Sequence, residues 1–372
     1  MKIIQHTFIL SVILANFIIC GPLPVHAQTT VDRIAAIANK SIAVTGLFET
    51  DEILPIVLYG DIRSLLNDRS DNPAYHPITL EYGTTNNQQV RLTVSMKTRG
   101  HFRKLKENCA YPPLLIHFLK SDTLAASIFR DCNKLKLVMP CRGDEYVIRE
   151  WLVYKLYNLV TTESFRARLV RVTLHDLKAG KATDPFYAIL LEEEEQMARQ
   201  NNAISVNRKL KPQQTDTSRF LNMAVFQYLI GNTDWSVEYL QNIKLIQPDS
   251  NARPIAVPYD FDHAGIVKAP YALPAEELQM RSTLERRYRG YCINDMKVFD
   301  NTIGHYNRLK KDIYGIFSGC SLLDDRYIKF AEKFLDDFYA TINNPKSLQK
   351  AFGYPCNLNG TGNVIIKGLR DH

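Results

Sequence analysis

Three short stretches near the middle of the chain concentrate its chemistry. They are Gly231-Asn232-Thr233-Asp234-Trp235, Asn242-Ile243-Lys244-Leu245-Ile246 and Pro258-Tyr259-Asp260-Phe261-Asp262. They read as an acid on a turn, an amide opening a short strand, and two acids closing the next strand. Phosphoryl transfer calls for such a set. One carboxylate takes the proton of the acceptor hydroxyl, while an amide oxygen and a second carboxylate hold the metal that bridges the phosphates. Asp234 is the candidate catalytic residue, and Asn242, Asp260 and Asp262 are the candidate metal ligands. Two carboxylates two residues apart on an extended segment project the same way, and they repel unless a cation lies between them. Mg²⁺ or Mn²⁺ suits such oxygen ligands. The plainer reading of Asp234 is a turn aspartate bonded to its own backbone, and that of Asn242 a strand-edge amide. Gly265 is read as letting the chain leave in a conformation other residues avoid.

Upstream, Lys134-Leu135-Lys136-Leu137-Val138 is a strand with alternating lysines, and Glu150 lies on the helix that follows. A kinase pairs a strand lysine with a helix glutamate to hold nucleotide phosphates. Lys136 rather than Lys134 is expected to take that role, with Glu150 as its partner. Lys97 and Arg99-Gly100 follow another strand and are candidates for a phosphate-covering turn, although no G-x-G-x-x-G is present. The run Glu192 to Glu195 is either a joint between two lobes or a solvated helix start. Arg286-Arg287-Tyr288-Arg289 is a basic-aromatic cluster that reads as an exposed helix end. The chain has no G-x-S-x-G elbow and no H-E-x-x-H.

The elements that must position these residues change character along the chain. Strands are expected at 53–59, 78–82, 90–96, 114–118, 135–139, 169–174 and 186–191, with one helix over 145–160. Residues 197–214 are polar and rich in Lys and Gln, and read as a linker. A helix over 218–230 follows, capped by Asp216 or Thr217 and stopped by Gly231. From about residue 275 the pattern is helical, clearest over 324–342.

The first 27 residues read as a signal peptide with cleavage after Ala27. Cys20 admits a lipoprotein reading, which the bulky Ile19 before it disfavours. No second apolar span follows, so an exported protein without a transmembrane segment is expected, periplasmic or extracellular. The remaining chain keeps six cysteines, Cys109, Cys132, Cys141, Cys292, Cys320 and Cys356. An even count in an exported chain suggests disulfides, with 15 possible pairings. Cys132 and Cys141 flank a strand and are the candidate local bridge. The formal charge of +7 falls to +6 with loss of Lys2, and Lys and Arg are scattered. That distribution argues against a nucleic-acid partner.

Together these residues resemble the spore coat protein H (CotH) kinase-like family, a branch of the atypical protein-kinase fold. The resemblance runs over roughly residues 50–265. It is carried by Met96-Lys97-Thr98-Arg99-Gly100, Arg149-Glu150, the strand from Phe186 to Glu192, Asn232-Thr233-Asp234, Asn242 and Pro258-Tyr259-Asp260-Phe261-Asp262. It departs from the family at Trp235, at Tyr259 where the family has Trp, and on the strand 114–118, which lacks a lysine pair. The resemblance implies an α+β, bilobal kinase-like fold, with a β-rich N-terminal lobe (28–195) and a mainly helical C-terminal lobe (196–372). It implies ATP with Mg²⁺ or Mn²⁺, Asp234 as acid–base residue, Asn242 and Asp260 on the metal with Asp262 supporting, and an exported protein as phosphate acceptor. The alternative is a kinase-fold protein of the envelope that binds or scaffolds without catalysis.

Overall fold

The computed structural model describes residues 46–84 and 86–356. The leader, its cleavage position and Cys20 lie outside the described residues. Alternating apolar residues build the first layer. β1 (Leu54–Gly60) is followed by α1 (Ile62–Asn67), β2 (His76–Gly83), β3 (Gln89–Thr98), β4 (Leu114–Phe118), α2 (Asp122–Ala125) and β5 (Lys134–Val138). After α3 (Asp144–Val160) come β6 (Ala167–Asp176), β7 (Lys181–Ala182) and β8 (Phe186–Leu191). Neighbouring strands pair antiparallel in the order β1-β2-β3-β4-β5-β8-β6, and β1 also pairs β6 in parallel, so the sheet closes into a barrel. Residues on alternate positions, such as Ile56 and Leu58, Leu80, Val94, Ile116 and Leu135, fill its interior, as a period of two dictates.

The second core lies against the outside of the barrel. It combines α3, α4 (Glu194–Gln200), α5 (Thr217–Ile230) and a small antiparallel sheet ordered β11-β10-β9, from β9 (Ile204–Val206), β10 (Ile243–Gln247) and β11 (Ile255–Pro258). The chain closes with α6 (Asp300–Arg308), α7 (Lys310–Ser318), α8 (Asp325–Ile342) and α9 (Pro345–Phe352). Sequence periodicity gives α3 one apolar face. The structure buries Val153, Tyr154 and Tyr157 as well, because α3 is packed between the barrel strands β6 and β8 on one side and α7 on the other.

Three expectations are corrected. The polar stretch 197–214 is no bare linker: it carries the end of α4, all of β9 and a 3-10 turn at Pro212–Gln214. The helical pattern does not begin near 275, since residues 275–295 hold only a 3-10 turn at Glu276–Leu278. The disulfides are Cys109–Cys141 and Cys292–Cys356, and Cys132 stays a free buried thiol. Cys132 packs in the barrel core ahead of β5, and Cys141 bonds Cys109 instead. No helix among the described residues is long and apolar enough to cross a membrane.

Candidate functional site

The acid turn begins where α5 must stop. Gly231 takes a left-handed conformation (φ 68°) at the helix end, which only glycine does without strain. Asn232 then accepts the Asp234 N–H through its side chain at 3.0 Å, the local bond expected of Asn at a turn. The Asp234 carboxylate is held by Asn242, which donates 3.0 Å to Oδ2 and 2.8 Å to the Asp234 carbonyl, and by Gln241, which donates to Oδ1. Asp234 and Asn242 are therefore in direct contact. Burial pushes the Asp234 carboxyl above its ordinary value, and the nearby Asp262 adds to the rise against His263 and Arg289.

Asn242 and Asp260 both sit at positive φ, 50° and 64°. Such conformations in residues other than glycine cost energy and gather at functional sites. Tyr259 N–H donates 3.0 Å to the Asn242 carbonyl and so links the two segments, while Asp260 N–H donates 2.9 Å to the Tyr154 hydroxyl of α3. The left-handed turn at Asp260 means that Asp260 and Asp262 do not share an extended segment, contrary to the expectation. Asp262 is buried, 3.5 Å from Arg103 Nη1 and bonded by the Tyr271 hydroxyl at 3.1 Å. Asp260 makes no side-chain ion pair among the described residues. Burial raises its pKa first and the Asp262 charge second, with Arg103, Arg99 and Lys136 opposing.

Glu150 is the largest departure. It is buried on α3 with Oε2 3.7 Å from Arg103 Nη1, and Oε1 has no partner. No ion pair joins it to Lys136 among the described residues. Arg103, from the 3-10 turn Phe102–Lys104, also donates to the Met139 carbonyl. It thus gathers Glu150 and Asp262 around one guanidinium. Sequence reasoning passed over it because nothing in its local spacing marks a charge whose partners are contributed by α3 and by the segment after β11.

Lys136 faces a different space. A cavity of about 370 Å³ is lined by Arg99, Lys134 and Lys136, by Glu193, Glu194 and Glu195, and by Ser205, Lys244 and Tyr259. Lys244 pairs with Glu194 at 2.7 Å. Lys136 lies 4.1 Å from the Tyr259 ring centre and forms no ion pair, and neither does Arg99, among the described residues. Burial, then the neighbouring Arg99, pull the Lys136 pKa down to about 7. The acid run is thus part of the cavity wall, while Glu192 is turned inward to Arg166 at 2.7 Å. Lys97 does not reach this space; its ammonium lies 4.8 Å above the Tyr75 ring.

The comparisons with known proteins add little to this geometry. No family model matches the chain, and no curated protein is similar to it in sequence. Among solved structures it is similar to a Helicobacter pylori proinflammatory kinase, CtkA, at 11% sequence identity and a TM-score of 0.38, over 68% of this chain and 95% of that one.

Two ligand types match the donors present. An anion would neutralise the unpaired Arg99 and Lys136. The oxygens that could serve a hard divalent cation are the Asn242 Oδ1, whose amide nitrogen is the atom bonded to Asp234, and the carboxylates of Asp260 and Asp262. No three His, Cys, Asp or Glu side chains are grouped to hold a metal by themselves among the described residues. A cation such as Mg²⁺, which commonly uses one or two carboxylates and completes its shell with water and phosphate oxygens, suits that sparse set.

Proposed function

We propose that the protein is an exported, kinase-like phosphotransferase that moves the γ-phosphoryl group of ATP to a hydroxyl of an exported protein. In this reading the barrel is an N-terminal lobe, the part after residue 195 a C-terminal lobe, and the cavity between them the nucleotide site. One observation carries it. A cavity is lined by Arg99 and Lys136, which form no ion pair among the described residues, and by Tyr259, whose chain neighbour Asp260 acts electrostatically on both cations. The export element of the reading is supported by the leader sequence and by two disulfides.

Arg99 and Lys136 neutralise the phosphates. Gln241 and Asn242 orient the Asp234 carboxylate, which accepts the proton of the acceptor hydroxyl as its oxygen bonds to the γ-phosphorus. The bond from phosphorus to the bridging oxygen breaks, and ADP leaves. Asn242, Asp260 and Asp262 would hold a divalent cation, which when bound offsets the phosphate charge. Burial that raises the Asp234 pKa brings it nearer the range where a general base is effective.

A second reading has its own support. Glu150 pairs with Arg103 instead of Lys136, as expected if the fold binds a ligand without transferring phosphate. Thermal unfolding with ATP and Mn²⁺, run beside Asp260→Ala, separates the readings. A ligand at 100 times its Kd stabilises by about 2.7 kcal/mol. The proposal expects that shift in the parent protein and its loss in the variant, with ³²P transferred from labelled ATP. A shift without transfer selects the non-catalytic reading, and no shift in the parent rejects the nucleotide site.

A further inference from the structure

Backbone bonds fix the ends of the acid turn, Asn232 N–H to Gln227 O at 2.8 Å and Ser236 N–H to Gln241 O at 2.9 Å, and side chains hold what lies between. Four successive carbonyls, from Asn232 to Trp235, are each bonded by a side chain. The Trp235 indole donates 3.2 Å to Asn232 O, and Asn242 donates 2.8 Å to Asp234 O. The other two, Thr233 O and Trp235 O, are taken by one atom, Arg289 Nη1, at 2.5 and 2.9 Å. These are the carbonyls on either side of Asp234. Thr233 and Trp235 are buried, so both oxygens would otherwise be left without a partner, at about 1–3 kcal/mol each.

Arg289 is delivered from the far end of the chain. Arg286, three residues earlier, donates 3.1 Å to Leu229 O, at the end of α5, and lies 3.6 Å from the Phe334 ring centre. Tyr288 stacks on Phe352 at 4.6 Å, Arg287 lies over Tyr354, and Cys292 is disulfide-bonded to Cys356. The run that reads in sequence as an exposed helix end is thus fastened at several points beneath the turn.

We infer that Arg289 is the positioning residue of the acid turn: by bonding both carbonyls that flank Asp234 it fixes where that carboxylate points, and the segment closed by Cys292–Cys356 holds it in place. The inference rests on Asp234 being the base of the proposed transfer. Arg289's hydrogen bonds to the turn go to backbone carbonyls, and it makes no ion pair with the Asp234 carboxylate among the described residues.

The test compares Arg289→Met and Arg289→Lys in the full chain. Amide hydrogen exchange over residues 232–236 is read against exchange in α5, and ADP release is followed with ATP and Mn²⁺. Arg289→Met is expected to speed exchange at the turn by about tenfold or more without matching acceleration in α5. It should lower kcat by about tenfold while the KM for ATP stays within about twofold. Arg289→Lys should recover most of both. Unchanged exchange at the turn, a loss confined to KM, or a lysine variant no better than methionine would overturn the inference. A parent protein that releases no ADP defeats the functional reading, and the exchange result then decides the positioning role by itself. If Arg289→Met does not fold, the Cys292→Ser, Cys356→Ser pair frees the segment with the guanidinium intact; faster exchange at the turn supports the inference, and unchanged exchange overturns it.

Discussion

Arg103 Nη1 lies 3.7 Å from Glu150 Oε2 with both side chains buried, and the same nitrogen is 3.5 Å from Asp262. The barrel side of the site therefore carries its own counter-ion for two carboxylates. Removing one partner of a buried pair leaves the other charge uncompensated, which costs about 3–5 kcal/mol. Arg103→Ala should be destabilised by that order in urea unfolding. The loss should be smaller when Glu150→Gln is already present, because one of the two groups that face the guanidinium is gone. Equal losses in both backgrounds would mean that the pair is not coupled.

The ligand-free protein should lose stability as pH rises from the ordinary glutamate range toward neutrality. Burial, then the Asp262 charge, hold the Glu150 carboxyl well above 4.5, and Asp260 is also raised. A folded-state pKa above the unfolded one means that the folded protein binds the extra proton. The contribution is complete below the unfolded pKa and disappears as pH passes the folded value. Glu150→Gln should flatten that part of the pH–stability curve. An unchanged slope would show that Glu150 ionises without penalty.

Lys136 should take up a proton when an anion enters the cavity. Its pKa is drawn down to about 7, chiefly by burial, so its neutral form is populated near neutral pH. Phosphates beside it favour the charged form. Calorimetry of ATP binding in buffers of different ionisation enthalpy should show net proton uptake that grows as pH rises past neutrality. Lys136→Met should abolish it. Because the depressed pKa marks a charged form that folding disfavours below the unfolded value, that variant should also be more stable at pH 6 without ligand.

Gly265 is needed for space and not for an unusual conformation. It has no left-handed φ, but a Cβ there would lie 2.2 Å from the Thr283 carbonyl oxygen. Its N–H donates 3.1 Å to Gly231 O, which joins the segment after Asp262 to the end of α5. Gly265→Ala should lower stability by about 3 kcal/mol or more, through forced backbone movement. Gly315→Ala, in α7 with nothing within 4 Å, should gain up to about 1 kcal/mol.

Local sequence determined the elements that depend on local physics. Alternation marks the barrel strands. Asp216, Gly231 and the apolar spacing delimit α5, observed over Thr217–Ile230, and α8, expected over 324–342, is observed over Asp325–Ile342 with Asp324 as its cap. The amide and the acid of the central motif could be named from residue types eight positions apart, and Gly231 was readable as a helix stop, whereas the turn bond is made by the Asn232 side chain and not by Asp234. Partner choice was not. Whether Glu150 meets Lys136 or Arg103, whether Cys141 bonds Cys132 or Cys109, and whether Arg289 faces water or the acid turn all depend on closure of the barrel and on the return of the C-terminal segment. Those contacts join residues far apart in the chain, and a charge, a thiol or a guanidinium carries no local periodicity that reveals its distant partner. The tertiary structure made those choices by bringing the loop after β3 to Glu150 of α3 and Asp262, and the segment before Cys292 to the carbonyls of Thr233 and Trp235.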